Sequence, residues 1–243
     1  MKNVFFTFLT ALALLFPSGT GKAQAVDELE LFQEASAGFS SLFRGKLTTR
    51  ISFMANGNLY WDQPDFVKGD IVYEGNLYRN VLLNIDAWQQ RALVKHASSA
   101  QVFALLPSLV SSLSFDGRQF VGIGPGEALP EGFYEVFGTG EERVYKQVKK
   151  DLQDSVDNVN GSPIGYYDDN YRTGVYRYFA YHPTWYFRDA KGEFSRIKTR
   201  GSLLRKFPDR KKDIRKALKA AGLNTSGTNF DVFCKAVLNA AQL

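Results

Sequence analysis

The fold is decided by residues 66–120, which read FVKGDIVYEGNLYRNVLLNIDAWQQRALVKHASSAQVFALLPSLVSSLSFDGRQF. Short runs of alternating or β-branched residues are separated there by Gly, Asn and Asp, which is typical of a β-meander. Asp70–Tyr73 and Leu77–Asp86 predict two strands joined by a tight turn at Glu74–Asn76. Asp116-Gly117 predicts a second hairpin, because this dipeptide favours two-residue turns. We therefore expect an antiparallel sheet at the centre of the chain.

Strand patterns continue on both sides of this stretch. Lys46–Phe53 alternates apolar and polar residues, which predicts a half-buried strand. Two further hairpins are predicted, one from Phe133–Phe137 with Arg143–Val148 and one from Val175–Phe187 with Glu193–Ile197. The intervening residues 149–171 are mostly polar and predict a long loop.

Helical spacing appears towards both ends of the chain. Acidic residues and an apolar stripe predict an N-terminal helix within residues 26–45. Near the C-terminus, Ser202 and Asp209 are predicted caps, and Gly222 and Thr228 mark the end of one helix and the start of the next. The expected fold class is α+β, mainly an antiparallel β meander or roll with an N-terminal helix and two C-terminal helices. We expect one domain over residues 26–243, with a β-rich centre at 46–200 and C-terminal helices at 201–243.

The first 25 residues predict a secretory signal peptide. Lys2 precedes an apolar run, Val4–Phe16, that is too short to cross a bilayer, and Ala23-Gln24-Ala25 forms an A-x-A cleavage site. We therefore expect export to the periplasm or cell surface. The later sequence contains no second run of about 18 apolar residues, so no transmembrane segment is expected in the mature chain.

Charge and cysteine content narrow the class of protein. The whole chain has a net charge of +5, but Lys2 and Lys22 lie in the leader, and the rest has 28 basic and 25 acidic residues. This balance does not indicate nucleic-acid binding. Cys234 is the only cysteine, so no intramolecular disulfide can form, which favours a bacterial envelope protein over a eukaryotic secreted one.

The sequence carries no recognisable catalytic or metal-binding signature. His96 and His182 lack a nearby second ligand at zinc-site spacing, and no G-x-S-x-G motif is present. Cys234 lies among apolar residues and is interpreted as a core residue. Asp168 and Asp169 could join His182 in an envelope hydrolase or transferase, or bind calcium, although the acid spacing of a dedicated calcium loop is missing. We expect no cofactor and no metal, and a non-enzymatic protein is favoured.

Aromatic residues concentrate between Tyr166 and Phe187. One side of the strand in this segment must face the core, and the other could present rings to a glycan or a peptide. Packing under a helix explains the same pattern, and both readings stay open. The candidate ligand-binding residues are Tyr176, Tyr178, Tyr181, Trp185 and Tyr186.

Residues 205–219 contain eight basic and two acidic side chains. The pattern predicts an amphipathic helix with a basic outer face, which could contact anionic headgroups or an acidic partner. The predicted apolar stripe, formed by Ile214, Ala217, Leu218 and Ala221, lacks Trp and Phe, which suits packing on the protein's own sheet better than membrane insertion. Peripheral membrane association and a solvated surface are the two alternatives.

Four short pieces resemble a family of uncharacterised exported envelope proteins of the Bacteroidota type. They are Phe66–Gly69, Tyr78–Asp86, Gly132–Val136 and Ser202–Leu204, and the likeness spans residues 59–221. The resemblance implies an envelope location and a mostly β fold. It brings no established activity and no site residues.

These observations together predict an exported binding or structural protein of the bacterial cell envelope. The expected partner is an envelope glycan or protein. The alternatives are an enzyme acting on an envelope polymer and a peripheral membrane protein attached through residues 205–219.

Overall fold

A computed structural model describes residues 41–48, 55–156, 175–223 and 228–242, all of which lie in one compact unit, Gly38–Leu243. These residues form an antiparallel sheet of 11 strands followed by three α-helices. The strands are β1 (Lys46–Leu47), β2 (Val67–Tyr73), β3 (Asn76–Asp86), β4 (Arg91–Lys95), β5 (Val102–Ala104), β6 (Val110–Phe115), β7 (Arg118–Ile123), β8 (Gly132–Phe137), β9 (Arg143–Val156), β10 (Val175–Arg188) and β11 (Phe194–Ile197). The helices are α1 (Arg200–Leu204), α2 (Lys211–Ala220) and α3 (Phe230–Ala241). The predicted β-rich α+β class is confirmed.

The strand order is β1-β5-β4-β3-β2-β6-β7-β8-β9-β10-β11. From β2 the chain therefore meanders outward in one direction as far as β5, returns to β2 with β6, and meanders in the other direction to β11. The sheet also curls back on itself, because the Lys150 amide of β9 donates to the Ala87 carbonyl after β3 at 3.0 Å. The side chain of Gln90 strengthens this closure by donating to the Val148 carbonyl at 2.8 Å.

The two turns predicted inside the decisive stretch have the expected local chemistry. Glu74 and Gly75 adopt φ values of 51° and 76°, and Asp116 and Gly117 adopt 52° and 67°. Positive φ at both central positions is the signature of the type I′ hairpin, whose twist matches that of the flanking strands. Both predicted hairpins are confirmed.

Gly69 allows β2 and β6 to approach closely. A Cβ atom at this position would lie 2.2 Å from the Ser114 carbonyl oxygen, which is far inside van der Waals contact. The neighbouring register shift between Gly69 and Ile71 in the β2–β3 pairing shows that the strand is irregular here. Glycine is therefore required by space and not by backbone angle.

Two larger apolar cores lie on the same face of the sheet, which we call the inner face, and a smaller cluster of Leu129, Tyr134 and Tyr145 is buried on the opposite face. Phe133 belongs to the first core and Phe137 to the second, and both occupy odd positions of β8. The first core fills the curled part of the sheet around Leu83 and Phe120. The second core lies between the sheet and the helices and includes Phe233. The opposite face is called the outer face.

Several predicted boundaries are corrected by the structure. Residues 149–156 were expected to be a loop but continue β9, because they pair with β10 in one unbroken antiparallel register. The predicted strand Lys46–Phe53 is described only as Lys46–Leu47, whose side chains are both exposed, and residues 49–54 lie outside the described part. Residues 26–40 of the predicted N-terminal helix also lie outside it, and residues Ser41–Phe43 form a single 3-10 turn.

The C-terminal region has one helix more than expected. Helix α1 is capped by Thr199, whose side chain accepts from the Ser202 amide, so Ser202 is the third residue of a capping box and not the cap. Asp209 is not the cap of α2 either, since that position is Arg210, which makes no side-chain capping bond. Gly222 follows α2 with φ 68°, as predicted.

Candidate functional site

The five predicted ligand-binding residues all lie on β10, but strand alternation divides them between the two faces. Tyr181 and Trp185 share the inner face, whereas Tyr178 and Tyr186 share the outer face. Tyr176 pairs with Ser155, and its side chain lies outside the described part. A single flat aromatic platform built from all of them is therefore not present among the described residues.

Each of the four described side chains has a distinct environment. The Tyr178 hydroxyl donates to the Gln153 side chain at 2.8 Å, and Tyr181 is 49% exposed. The Trp185 ring lies 4.7 Å from Phe230 in an edge contact, and its Nε1 donates to Asp231 Oδ1 at 2.9 Å. Trp185 thus packs between the sheet and α3, as expected if the aromatic residues serve internal packing under a helix. Ligand binding through these residues stays a prediction.

A row of charged side chains crosses the inner face between the two apolar cores. Glu135 of β8 pairs with Lys146 of β9, which pairs with Trp185 of β10. The Lys146 ammonium donates to Asp231 at the start of α3. Glu135 and Lys146 are only 4% and 6% exposed, so this charged row is a polar seam inside the domain. Buried ion pairs of this kind fix geometry more than they add stability.

Burial and charge shift the pKa values in this charged row. The pKa of Glu135 is raised, chiefly by desolvation and further by Asp231, against the opposing charges of Lys146, Arg118 and Lys235. Burial alone would lower the pKa of Lys146, but the hydrogen bond and charge of Asp231 raise it. The Glu135 carboxylate accepts no hydrogen bond from any residue of the described part. The Glu135 carboxylate is therefore the group in the charged row whose buried charge is least compensated.

Replacing Glu135 with glutamine should stabilise the protein at neutral pH. Because the folded-state pKa of Glu135 is raised, the folded protein holds this proton more tightly than the unfolded chain. The free energy of unfolding then falls as pH rises above the ordinary glutamate pKa and towards the folded one. We expect Glu135→Gln to be more stable at pH 7.5, by on the order of 1 kcal/mol, because the amide carries no charge to desolvate, and to equal wild type near pH 4.

Urea unfolding at a series of pH values measures this difference. Glu131→Gln is the matched control, because Glu131 is exposed. If Glu135→Gln and wild type lose stability in parallel from pH 4 to 7.5, the raised pKa of Glu135 is wrong.

A groove of about 320 Å³ lies on the outer face of the sheet, which the helices leave uncovered. Strand pairing aligns Asp70, Ser114 and Gln119 across β2, β6 and β7. The next row towards one side aligns Val72, Ser112 and Val121 in the same way. Val136 and Arg143 border the groove on β8 and β9. Its volume is at the small end of the range for ligand pockets.

The polar side chains of this outer groove have free hydrogen-bonding capacity. Within the described part of the chain, Ser112, Ser114 and Gln119 make no side-chain hydrogen bond. Asp70 accepts from the Asn80 amide through Oδ1 at 3.1 Å and keeps Oδ2 available. Arg143 has part of its capacity committed, because its guanidinium donates to the Gly140 carbonyl at 2.6 Å.

An aromatic cluster continues the same outer face beyond the groove. Val136 pairs with Tyr145, which pairs with Tyr186 of β10. Phe194 lies edge-on to Tyr145 at 5.2 Å. Tyr186 and Phe194 keep half-buried rings at the surface. A polar groove therefore leads, strand by strand, to aromatic side chains, and Tyr186 is the predicted residue that belongs to it.

The sequence patterns did not identify the residues of the groove. The only hint in the sequence is the predicted hairpin at Asp116-Gly117, which implies that Ser114 and Gln119 pair across it. Asp70 joins them only because β2 pairs with β6, a contact between strands separated by about 40 residues along the chain. Local periodicity does not reveal that pairing.

Of the residues named for the enzyme alternative, only His182 lies in the described part of the chain. His182 lies on the outer face with Nε2 3.4 Å from Asp151, and both side chains are largely exposed. Asp168 and Asp169, the proposed partners of His182 and the possible calcium ligands, lie outside the described part. Cys234 is fully buried in the second core, and burial raises its thiol pKa. Among described residues, no group of three His, Cys, Asp or Glu side chains could hold a metal.

Helix α2 covers only residues 211–219 of the basic segment 205–219, and Arg205, Lys206 and Arg210 precede it, which corrects the predicted helix start. Ile214 and Leu218 are buried against the second core, while Lys212, Arg215 and Lys216 are exposed. The Arg210 guanidinium donates a hydrogen bond to Glu142 Oε2 at 2.6 Å. The amphipathic pattern is therefore present, with its apolar side used for internal packing. Membrane association through this helix stays a prediction.

In comparisons with known proteins, no family model, curated protein or solved structure matches this chain. Within the described residues, no helix has the length and hydropathy needed to cross a membrane.

Proposed function

We propose that this chain is an exported binding or structural protein of the bacterial cell envelope and that the outer groove is its ligand-binding surface. The observation that carries the proposal is the set of polar side chains in this groove with free hydrogen-bonding capacity, Ser112, Ser114 and Gln119. Ser112 and Ser114 are half-buried and Gln119 is exposed, so their hydroxyl and amide groups can exchange hydrogen bonds to water for hydrogen bonds to a ligand. The signal-peptide pattern of residues 1–25 supports the envelope location.

The rigidity of the surroundings supports a preformed site. Asp70, Ser114 and Gln119 stand on three adjacent strands, whose backbone pairing fixes their spacing at about 4.8 Å from strand to strand. The inner side of these strands is filled by the first core through Ile71, Leu113 and Phe120. A site on paired strands with a filled core beneath it needs little reorganisation when it binds.

Retention of envelope material by the immobilised protein tests the proposal. We expect detergent-free envelope extract to yield a component that the wild type retains and that the double variant Ser114→Ala and Gln119→Ala loses. Ser111→Ala and Gln89→Ala form the matched control, since both residues are exposed and lie outside the groove. Equal retention by both double variants would show that the groove is not the binding surface. Salt-sensitive retention of anionic lipid alone would point to another surface, such as α2.

A further inference from the structure

We infer that the outer groove and its aromatic continuation bind an uncharged glycan chain that lies across the strands. This inference rests on the proposed function and names the chemical class of its ligand. It follows from three properties of the surface: the type of its polar groups, the balance of its charges and the direction in which its residues are aligned.

The polar groups of the groove suit a ligand that is rich in hydroxyl groups. Serine hydroxyls and the Gln119 amide both donate and accept, and Asp70 accepts through its available oxygen. Sugar hydroxyls also donate and accept, so each can be satisfied at such a surface. An apolar ligand would leave these side chains unpaired and is disfavoured. A peptide strand is disfavoured as well, since it pairs with open strand edges, whereas β6 and β7 are paired on both sides.

The charges in the groove are balanced. Among the described residues that line the groove, Asp70 is the one acid and Arg143 the one base, and the Arg143 guanidinium is partly committed to the carbonyls of Gly140 and Thr139. A polyanion would meet Asp70 without a compensating cluster of cations, and a polycation would meet Arg143. An uncharged chain avoids both costs.

The alignment of residues gives the ligand a direction. Asp70, Ser114 and Gln119 form one row, and Val136, Tyr145 and Tyr186 follow on the next three strands. Tyr145 is only 8% exposed, so on those three strands Val136 and Tyr186 are the side chains that a ligand can reach. Six strands about 4.8 Å apart span roughly 24 Å, which is long enough for several consecutive sugar rings. The rings of Tyr186 and Phe194 are placed to stack on the apolar faces of sugars at one end, while the polar row binds hydroxyls at the other.

Calorimetric titration with glycans released from bacterial cell envelopes tests the inference. The released material is separated by ion exchange into a neutral and an anionic fraction, and both are titrated into wild type, the double variant Ser114→Ala and Gln119→Ala, and the double variant Ser111→Ala and Gln89→Ala. We expect the neutral fraction to bind wild type and to bind the groove variant roughly thirtyfold more weakly, the loss of two net hydrogen bonds. The control variant should match wild type.

The stacking end has its own measurement. Binding of the neutral fraction should change tyrosine fluorescence in wild type, and Tyr186→Leu should weaken binding while circular dichroism shows an unchanged fold. Tyr178→Leu is the control, because Tyr178 lies on the same face and strand but at the opposite end. Loss of binding in Tyr178→Leu alone would overturn the proposed path.

The outcomes separate the inference from the proposed function. Binding of only the anionic fraction, or neutral binding that is equal in all variants, overturns the glycan inference. If envelope extract is retained through the groove but the retained component is protein, the binding function stands and the glycan class is wrong. If no component of the extract is retained through the groove, both the proposed binding surface and the glycan inference are wrong.

Discussion

Replacing Asp231 with alanine should destabilise the protein by about 3 kcal/mol. The change removes the partner of the Lys146 ammonium, which is then left charged inside the domain. It also removes the acceptor of the Trp185 indole N–H. Breaking a buried ion pair from one side costs about 3–5 kcal/mol, because the remaining charge keeps its desolvation penalty. We choose the lower end, since Glu135 lies beside Lys146 and can take over part of the interaction.

Urea unfolding monitored by tryptophan fluorescence measures this effect. Asp209→Ala is the control, as Asp209 is an exposed aspartate close to α2. The substitution Lys146→Met added to Asp231→Ala should recover much of the lost stability, because no uncompensated charge then remains. A loss below 1 kcal/mol for Asp231→Ala would mean that Lys146 reaches solvent when unpaired.

The charged row also explains part of what the sequence could not predict. Glu135 and Lys146 occur in short β patterns, where charged side chains are normally assigned to the exposed face. Their burial follows from Asp231, which lies 85 residues after Lys146 and arrives with α3. No local pattern connects these positions. By contrast, turns such as Asp116-Gly117 depend on two adjacent residues and were predicted correctly.

The length of β9 and β10 shows a second limit of local reasoning. Lys149, Asp151 and Asp154 look like loop residues because they are polar and lack an apolar partner in sequence. In the structure they continue β9, and Arg177 of β10 pairs with Asp154 at 3.0 Å. The two strands extend together beyond the second core, where backbone pairing, cross-strand charge and an edge contact between Phe179 and Trp88 at 5.8 Å hold the hairpin.

The predicted ligand-binding residues share one strand, and strand alternation divides them between its two faces. The aromatic residues of β10 were selected by composition, and alternation then assigned Trp185 to internal packing and Tyr186 to the outer surface. Deciding between them required knowing which face the C-terminal helices cover. That information comes from the contact of α3 with β8, which depends on tertiary packing alone.

Replacing Phe233 with alanine should cost about 3–5 kcal/mol, the largest effect that we expect from one apolar side chain. Phe233 is fully buried on the side of α3 that faces the sheet and packs within the second core. Its ring also lies near Phe230 and beneath the Arg200 guanidinium, so the cavity would be lined from several elements and could not close easily. The loss would therefore include both transfer and cavity contributions.

The neighbouring residue supplies the matched control. Val232 lies on the same helix but is 46% exposed, and Val232→Ala should change the free energy of unfolding by less than about 0.5 kcal/mol. The C-terminal helices and the sheet share the second core, so Phe233→Ala should lower the midpoint of one cooperative transition without splitting it. Two separate transitions in urea, with the sheet surviving the loss of the helices, would show that the two apolar cores are stable independently of each other.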